Sequence, residues 1–183
     1  MGGKAFAQLL PHASFPRIDA QTYQSLKQHY LSRLTPLFAL VGVPAEAPEK
    51  TTYGDLDYLV AGPLSQPVSL NQLQQVLGAT HVVTDEGDHM PHFAVPVPTT
   101  EVVPHIEGQT YYQVDVTTCS VDEWPKVMFY HAYGDLGIIL GRLLKEYGLT
   151  YGSRGLRVFT LSFPIRVKYN LSFTSTRYLT LKL

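Results

Sequence analysis

The feature that most constrains the fold is a pair of segments in which aspartates interrupt apolar, strand-like sequence. The first reads GDLDYLV over residues 54–60, and the second reads YQVDVT over residues 112–117. Side chains alternate between the faces of a strand, so Asp55 and Asp57 share one face. Asp115 lies between two valines, where a lone charge is expensive to bury unless it is paired or metal-bound. If the two strands are neighbours, the three acids form one cluster.

The order of the predicted elements indicates the fold class. Consecutive strands with few helical crossovers favour an α+β fold, with a mixed, mainly antiparallel β-sheet backed by helices. The hydrophobic spacing and the turn residues predict a helix over 21–34, a strand over 56–61, a helix capped by Ser69 and stopped by Gly78, strands over 81–84, 92–97 and 111–117, and one long or two short helices over 124–147.

Composition excludes several classes of protein. The chain has 183 residues, 45% hydrophobic and 16% charged, which favours one domain with a real core over wholesale disorder. A net charge of −1 argues against polyanion binding by bulk charge. The single cysteine, Cys119, excludes an internal disulfide framework and fits a reducing compartment. Without a bilayer-length apolar run or a signal-peptide core, we expect an intracellular, cytoplasmic protein.

The charge is uneven along the chain. No acidic side chain follows Glu146, whereas basic residues continue at Arg154, Arg157, Arg166, Lys168, Arg177 and Lys182. We therefore expect a domain over residues 1–157 and a basic C-terminal tail over 158–183, truncated or atypical. A basic end can meet phosphate groups, and a solvated tail is the alternative interpretation.

The aspartate pattern suggests a chemistry. Carboxylates on one strand face repel each other, and magnesium supplies the balancing charge through hard oxygen ligands. In two-metal phosphoryl chemistry, a third carboxylate can ligate the first ion and accept the proton of an attacking hydroxyl. Asp115 could instead cap a loop or pair with an arginine.

In chain order, these acids resemble the pattern of the polymerase-β nucleotidyltransferase superfamily. That pattern is a glycine pair, an acid-x-acid on a strand and one more acid on a neighbouring strand, here Gly2-Gly3, Asp55-Leu56-Asp57 and Asp115. The strings GGKAF, KTTYGDLDYLV, YYQVDVTTC and HAYGDLGIILGRLLKEYGLTYGSRGLRV look like a branch found in fungi, large DNA viruses and phages. The resemblance covers about residues 2–157.

The resemblance implies a mixed sheet backed by helices, with the acids on one face. It implies transfer of a nucleoside monophosphate from a nucleoside triphosphate with release of pyrophosphate, using two Mg²⁺ ions. Asp55 and Asp57 would hold both ions, and Asp115 would hold the catalytic ion. Gly2 and Gly3 would lie near the triphosphate. Well-known members also carry a further helical domain, which this chain is too short to contain in full.

Further residues are candidates for contact with the nucleotide. Lys4 and Arg17 could reach phosphate, and Ser153-Arg154 between two glycines could form an anion-binding turn. The alternative interpretation of each is an ordinary, solvated surface residue. The histidines, His81, His89, His92 and His105 among them, are expected to be ordinary surface residues, because no ligand spacing supports zinc.

Three functions remain open from the sequence. The first is the nucleotidyltransferase, whose acceptor could be an RNA end, a protein hydroxyl or a small molecule. The second is a glycosyltransferase with a metal-binding Asp-x-Asp, although such a site follows an apolar strand and residues 50–53 are polar. The third is a non-catalytic, truncated nucleotidyltransferase-like module that binds a nucleotide or a partner.

Overall fold

The structure is a computed structural model that describes residues 4–84, 90–98 and 109–158. Gly2, Gly3 and the tail from residue 159 lie outside these ranges, as do His89 and His105. The helices and strands, in chain order, are β1 (Ile18–Asp19), α1 (Ala20–Leu34), β2 (Phe38–Gly42), β3 (Thr52–Tyr53), β4 (Leu56–Pro63), α2 (Leu70–Leu77), β5 (His81–Val83), β6 (His92–Pro96), β7 (Tyr111–Cys119), α3 (Trp124–His131), α4 (Leu136–Lys145), β8 (Leu149–Gly152) and β9 (Gly155–Val158).

The central sheet has five strands in the order β2-β4-β7-β6-β5. Its central pair, β4 and β7, is parallel, and the other three neighbouring pairs are antiparallel. Two small antiparallel pairs, β1 with β3 and β8 with β9, lie outside this sheet. The predicted α+β class and mainly antiparallel sheet are confirmed.

The first two helices are fixed by their caps. The Asp19 carboxylate accepts hydrogen bonds from the backbone N–H groups of Gln21 and Thr22, which begins α1. Ser69 and Gln72 form a reciprocal capping box at the start of α2, and Gly78 ends that helix in the left-handed conformation at φ 69°. The predicted start and stop of α2 are both confirmed.

The segment predicted as one long helix or two short ones is two helices. Tyr133 and Gly134 have φ values of 57° and 67°, which a continuing helix cannot adopt. The two helices then cross closely, since a Cβ atom on Gly137 would lie 2.1 Å from the backbone oxygen of Tyr130. A side chain at Gly137 would therefore force the helices apart.

The main core lies between the sheet and the first two helices. Tyr23, Tyr30 and Leu34 of α1 and Leu73 and Leu77 of α2 are buried in it. The strand residues in this core alternate along the sheet, namely Leu56, Tyr58, Val60, Phe93, Val95, Tyr112, Val114 and Val116. The residues between them therefore belong to the opposite face of the sheet, here called the acid face.

Three parts of the fold were not predicted. No strand was predicted over β2, which pairs antiparallel with β4, and the small pair of β1 with β3 was also missed. The hairpin of β8 and β9 was also missed, although its turn was noted. Among the described residues, no helix is both long and apolar enough to cross a membrane.

Candidate active site

The parallel pairing of β4 with β7 brings two of the predicted acids side by side. Asp57 is directly opposite Asp115 in the register, and Leu56 is opposite Val114. Neighbouring strands lie about 4.8 Å apart, so paired residues project from the same face. Leu56 and Val114 point into the main core, so Asp57 and Asp115 lie on the acid face. Asp55 lies immediately before β4, two residues from Asp57.

Burial and the negative charges of neighbouring acids raise the pKa values of both Asp55 and Asp57. Burial raises the pKa of Asp57 to about 7, and the negative charges of Asp55 and Asp115 add to the rise. Burial also raises the pKa of Asp55 above its usual value, with Asp115 as the next cause. A carboxylate cluster with these properties is relieved either by taking up protons or by binding a cation.

The third acid is held by two neighbours. Asp115 is 5% exposed, and the side-chain amide of Gln113 donates to both of its oxygens at 2.9 Å. His92 of the adjacent strand places its Nδ1 atom 2.9 Å from Asp115 Oδ1. The expectation that His92 is an ordinary surface histidine is therefore wrong. Neither the predicted loop cap nor an arginine is the partner that these contacts give to Asp115.

A second polar network lies next to Asp57 and was not predicted. The Glu46 carboxylate accepts a hydrogen bond from the Tyr23 hydroxyl and forms a salt bridge with Lys50, each at 2.5 Å. The Lys50 ammonium also lies 4.7 Å from the centre of the Tyr53 ring, and Tyr53 stacks on Tyr23 with the ring centroids 3.7 Å apart. No local motif marks this network, because its members come from a helix, a loop and a short strand.

The charges of this network act on the acids in opposite directions. Glu46 contributes to the raised pKa of both Asp55 and Asp57, after their burial and the other aspartates. Lys50 lowers the pKa of both carboxyls. The charge of Lys50 therefore partly offsets the negative potential of the acid cluster.

The chemistry of the three carboxylates suits a hard cation such as magnesium. Their arrangement does not enclose one: across residues 4–84, 90–98 and 109–158, no group of three or more His, Cys, Asp or Glu side chains is placed to hold a metal ion. The contacts with Gln113 and His92 orient the Asp115 carboxylate toward those two side chains. That Asp55, Asp57 and Asp115 share bound ions stays a prediction.

The predicted phosphate contacts lie in different parts of the fold. Lys4 is exposed, in a short 3-10 helix over Lys4–Phe6. Phe6 packs with Ala94 and Tyr111. Both residues belong to the acid face, because they alternate with the core residues of their strands. The short helix Lys4–Phe6 therefore packs on the same face of the sheet as the acids.

Two more of the predicted phosphate contacts, Ser153 and Arg154, form the turn between β8 and β9. Arg154 lies near Glu123: the pKa of Glu123 is lowered first by its hydrogen bonds with Ser120 and then by the charge of Arg154. Arg17 donates to the backbone oxygen of Thr52 at 2.5 Å, which ties β1 to β3. A role for any of these residues in binding phosphate stays a prediction.

A cavity of about 700 Å³ lies on the other side of the sheet. Its lining includes Tyr30 and Arg33 of α1, Leu77 of α2, and Val95 and Tyr112 of the strands. Val95 and Tyr112 face the main core, so the sheet separates this cavity from the three acids.

The sheet, with α1 and α2 on one face and the carboxylates on the other, is a fold shared with solved polymerase structures. Two solved structures of Leishmania infantum polymerase beta are similar to this chain. The one in a ternary P/T complex has a TM-score of 0.58 and 13% sequence identity, and covers 80% of this chain and 60% of its own. The one in a ternary gap complex has a TM-score of 0.58 and 14% identity, and covers 84% of this chain and 58% of its own.

At this level of identity the similarity shows the fold alone. This chain also spans only about three fifths of those structures, 60% and 58% respectively. No protein-family model matches the sequence, and no curated protein matches it. The comparisons give no support to the narrower resemblance to a fungal and viral branch.

Proposed function

We propose that this protein is a magnesium-dependent nucleotidyltransferase that moves a nucleoside monophosphate from a nucleoside triphosphate onto an acceptor hydroxyl. The observation that carries the proposal is the pairing of Asp57 with Asp115 on the acid face, with Asp55 two residues away. The similarity in fold to polymerase beta structures supports it. Asp55 immediately precedes β4, the strand that pairs Asp57 with Asp115 of β7.

The reaction assigns a role to each acid. The acceptor oxygen forms a bond to the α-phosphorus, the bond from that phosphorus to the bridging oxygen breaks, and pyrophosphate leaves with the electron pair. Asp115 accepts the proton of the acceptor hydroxyl. Asp55 and Asp57 would hold the Mg²⁺ ions that position the triphosphate. Two Mg²⁺ ions, when bound, would neutralise the charge that develops on the phosphate oxygens.

The nucleotide and the acceptor can be proposed only by class. Gly2, Gly3 and Lys4 are the candidates on the N-terminal segment for contact with the triphosphate, and Ser153 and Arg154 are the candidates on the β8–β9 turn. The similar structures are polymerases in ternary complexes. A nucleic-acid end is therefore the acceptor to test first, before a protein hydroxyl or a small molecule.

The direct test measures pyrophosphate release from each of the four nucleoside triphosphates, with magnesium and with a chelator. Asp57→Asn should lose at least about 100-fold of the turnover while its thermal unfolding stays cooperative. Asp135→Asn is the matched control, because Asp135 is an exposed acid that precedes α4. Normal turnover in Asp57→Asn, or equal losses in both variants, contradicts the proposal.

A second candidate is a non-catalytic module that binds a nucleotide. One observation favours it: no metal-holding group is formed within the described ranges. Saturable nucleotide binding with no pyrophosphate release from any of the four triphosphates would select it. Transfer from a sugar nucleotide would select the glycosyltransferase, which the polymerase-β-type fold does not support.

A further inference from the structure

The Asp115 carboxylate is a buried acidic group on the acid face. It is 5% exposed, and it lies in a strand whose neighbouring side chains Val114 and Val116 are fully buried. A buried carboxylate without partners is strongly unfavourable. Here the Gln113 amide and the His92 ring supply three contacts of 2.9 Å.

The backbone fixes both of these partners. Gln113 precedes Asp115 by two residues on β7, so the two side chains project from the same face. His92 is directly opposite Asp115 in the antiparallel pairing of β6 with β7. Gln113 is itself 5% exposed, so it has little freedom to turn away. Groups held by adjacent strands keep a more accurate geometry than groups held by loops.

The contacts treat the two oxygens of Asp115 differently. Oδ1 receives both the Gln113 amide and the His92 ring, whereas the Gln113 amide fills one position on Oδ2. A carboxylate oxygen can accept two hydrogen bonds, and an ionised carboxylate only accepts. These contacts saturate Oδ1 and leave the second position of Oδ2 for a proton or a cation. They also require Nδ1 of His92 to carry the hydrogen.

We propose that Gln113 and His92 are positioning residues that present Asp115 Oδ2 to the reacting hydroxyl or its bound ion. This inference rests on the proposed nucleotidyl transfer. Gln113 and His92 touch neither the nucleotide nor the acceptor in this account, and they act only by fixing the rotamer of Asp115.

The first test separates positioning from general support of the fold. Gln113→Met keeps the volume and removes the donor, and it should lower kcat by about 10- to 100-fold while the KM for the nucleotide stays nearly constant. His92→Leu should behave in the same way, and His92→Asn should recover most of the loss, because its amide replaces the Nδ1 donor. Thr117→Val is the matched control on the same strand and face.

A second readout does not depend on turnover. Gln113→Met should lower the midpoint of thermal unfolding, and this fall should largely disappear in the Asp115→Leu variant. The effects of the two substitutions on Mn²⁺ affinity should be non-additive in the same way. Additive effects of the two substitutions, or equal losses in Thr117→Val, overturn the proposal. If the wild type has no turnover but this coupling is present, the proposed function fails and the positioning of Asp115 stands.

Discussion

The two faces of the central sheet differ where β4, β6 and β7 lie side by side. On the helix side, Phe93, Val114 and Val116 are fully buried and pack against apolar and aromatic side chains of α1 and α2. On the acid face, the same strands place Asp57, Asp115 and Gln113 next to one another. Burial of apolar area stabilises the first face. On the second face, burial and mutual repulsion raise the pKa of Asp57.

This difference indicates which face stabilises the fold and on which face the burial of charge is unfavourable. A carboxylate cluster that disfavours its own charged form opposes folding at neutral pH, and it persists only where the surrounding structure tolerates it. The alternation of a strand allows both properties in one element, because successive side chains never share a face. Removing a buried apolar side chain from the first face and a carboxylate charge from the second should therefore have opposite effects on stability.

The largest expected effect on stability is on the helix side. Phe93 is fully buried in the main core, so Phe93→Ala should lower the free energy of unfolding by about 3–5 kcal/mol. Denaturant titration measures this change, and Phe93→Leu is the conservative control, with a much smaller loss. A loss below about 1 kcal/mol in Phe93→Ala would show that this face does not dominate stability.

A substitution on the acid face should show the reverse sign. The folded pKa of Asp57 is raised to about 7, against about 3.9 for an unfolded aspartate. The stability that this group contributes is present below pH 4 and is lost as the pH rises through 7. Asp57→Asn should thus stabilise the metal-free protein at pH 8 by up to a few kcal/mol, at about 1.4 kcal/mol per pKa unit.

Thermal unfolding of both proteins from pH 4 to 8, in a chelator, measures this effect. The difference between Asp57→Asn and the wild type should grow as the pH rises. Asp135→Asn should track the wild type across the same range. A constant difference at all pH values would mean that Asp57 titrates like an ordinary exposed carboxyl.

The smallest expected effect concerns the cation beside the acids. Lys50 lowers the pKa of both Asp55 and Asp57, so Lys50→Met should raise the pKa of both carboxyls. The change in stability should stay within about 1 kcal/mol, because Lys50 is partly exposed and solvent screens its charge. Carboxyl chemical shifts followed through a pH titration measure the pKa values, and unchanged values would place Lys50 electrostatically outside the site.

Much of the fold could be predicted from the sequence. The helices at α1 and α2, the strands at β4 to β7 and the fold class all follow from periodicity and from caps such as Ser69 and Gly78. β2 was missed because its five residues follow Pro36 without alternation that distinguishes a strand from a buried segment. β8 and β9 were missed because each is short and includes a glycine, a residue that is depleted in strands.

The site was predicted only in part, for a physical reason. Alternation placed Asp55 and Asp57 on one face, but the register that pairs Asp57 with Asp115 depends on contacts across 58 residues of chain. The same limit hid His92, whose partner is on another strand. Gln113 carried a local signal, since it lies two residues before Asp115, the spacing that puts two side chains on one strand face.

The most direct measurement is a crystal structure with Mn²⁺ and a non-hydrolysable nucleoside triphosphate, with the metal located by its anomalous signal. The account predicts ions about 2.0–2.2 Å from oxygens of Asp55 and Asp57. It also predicts that Oδ2 of Asp115 faces the acceptor hydroxyl or one of these ions, with Gln113 still donating to the carboxylate. Ions bound elsewhere, or an Asp115 that faces away from bound ions and nucleotide, would contradict the account.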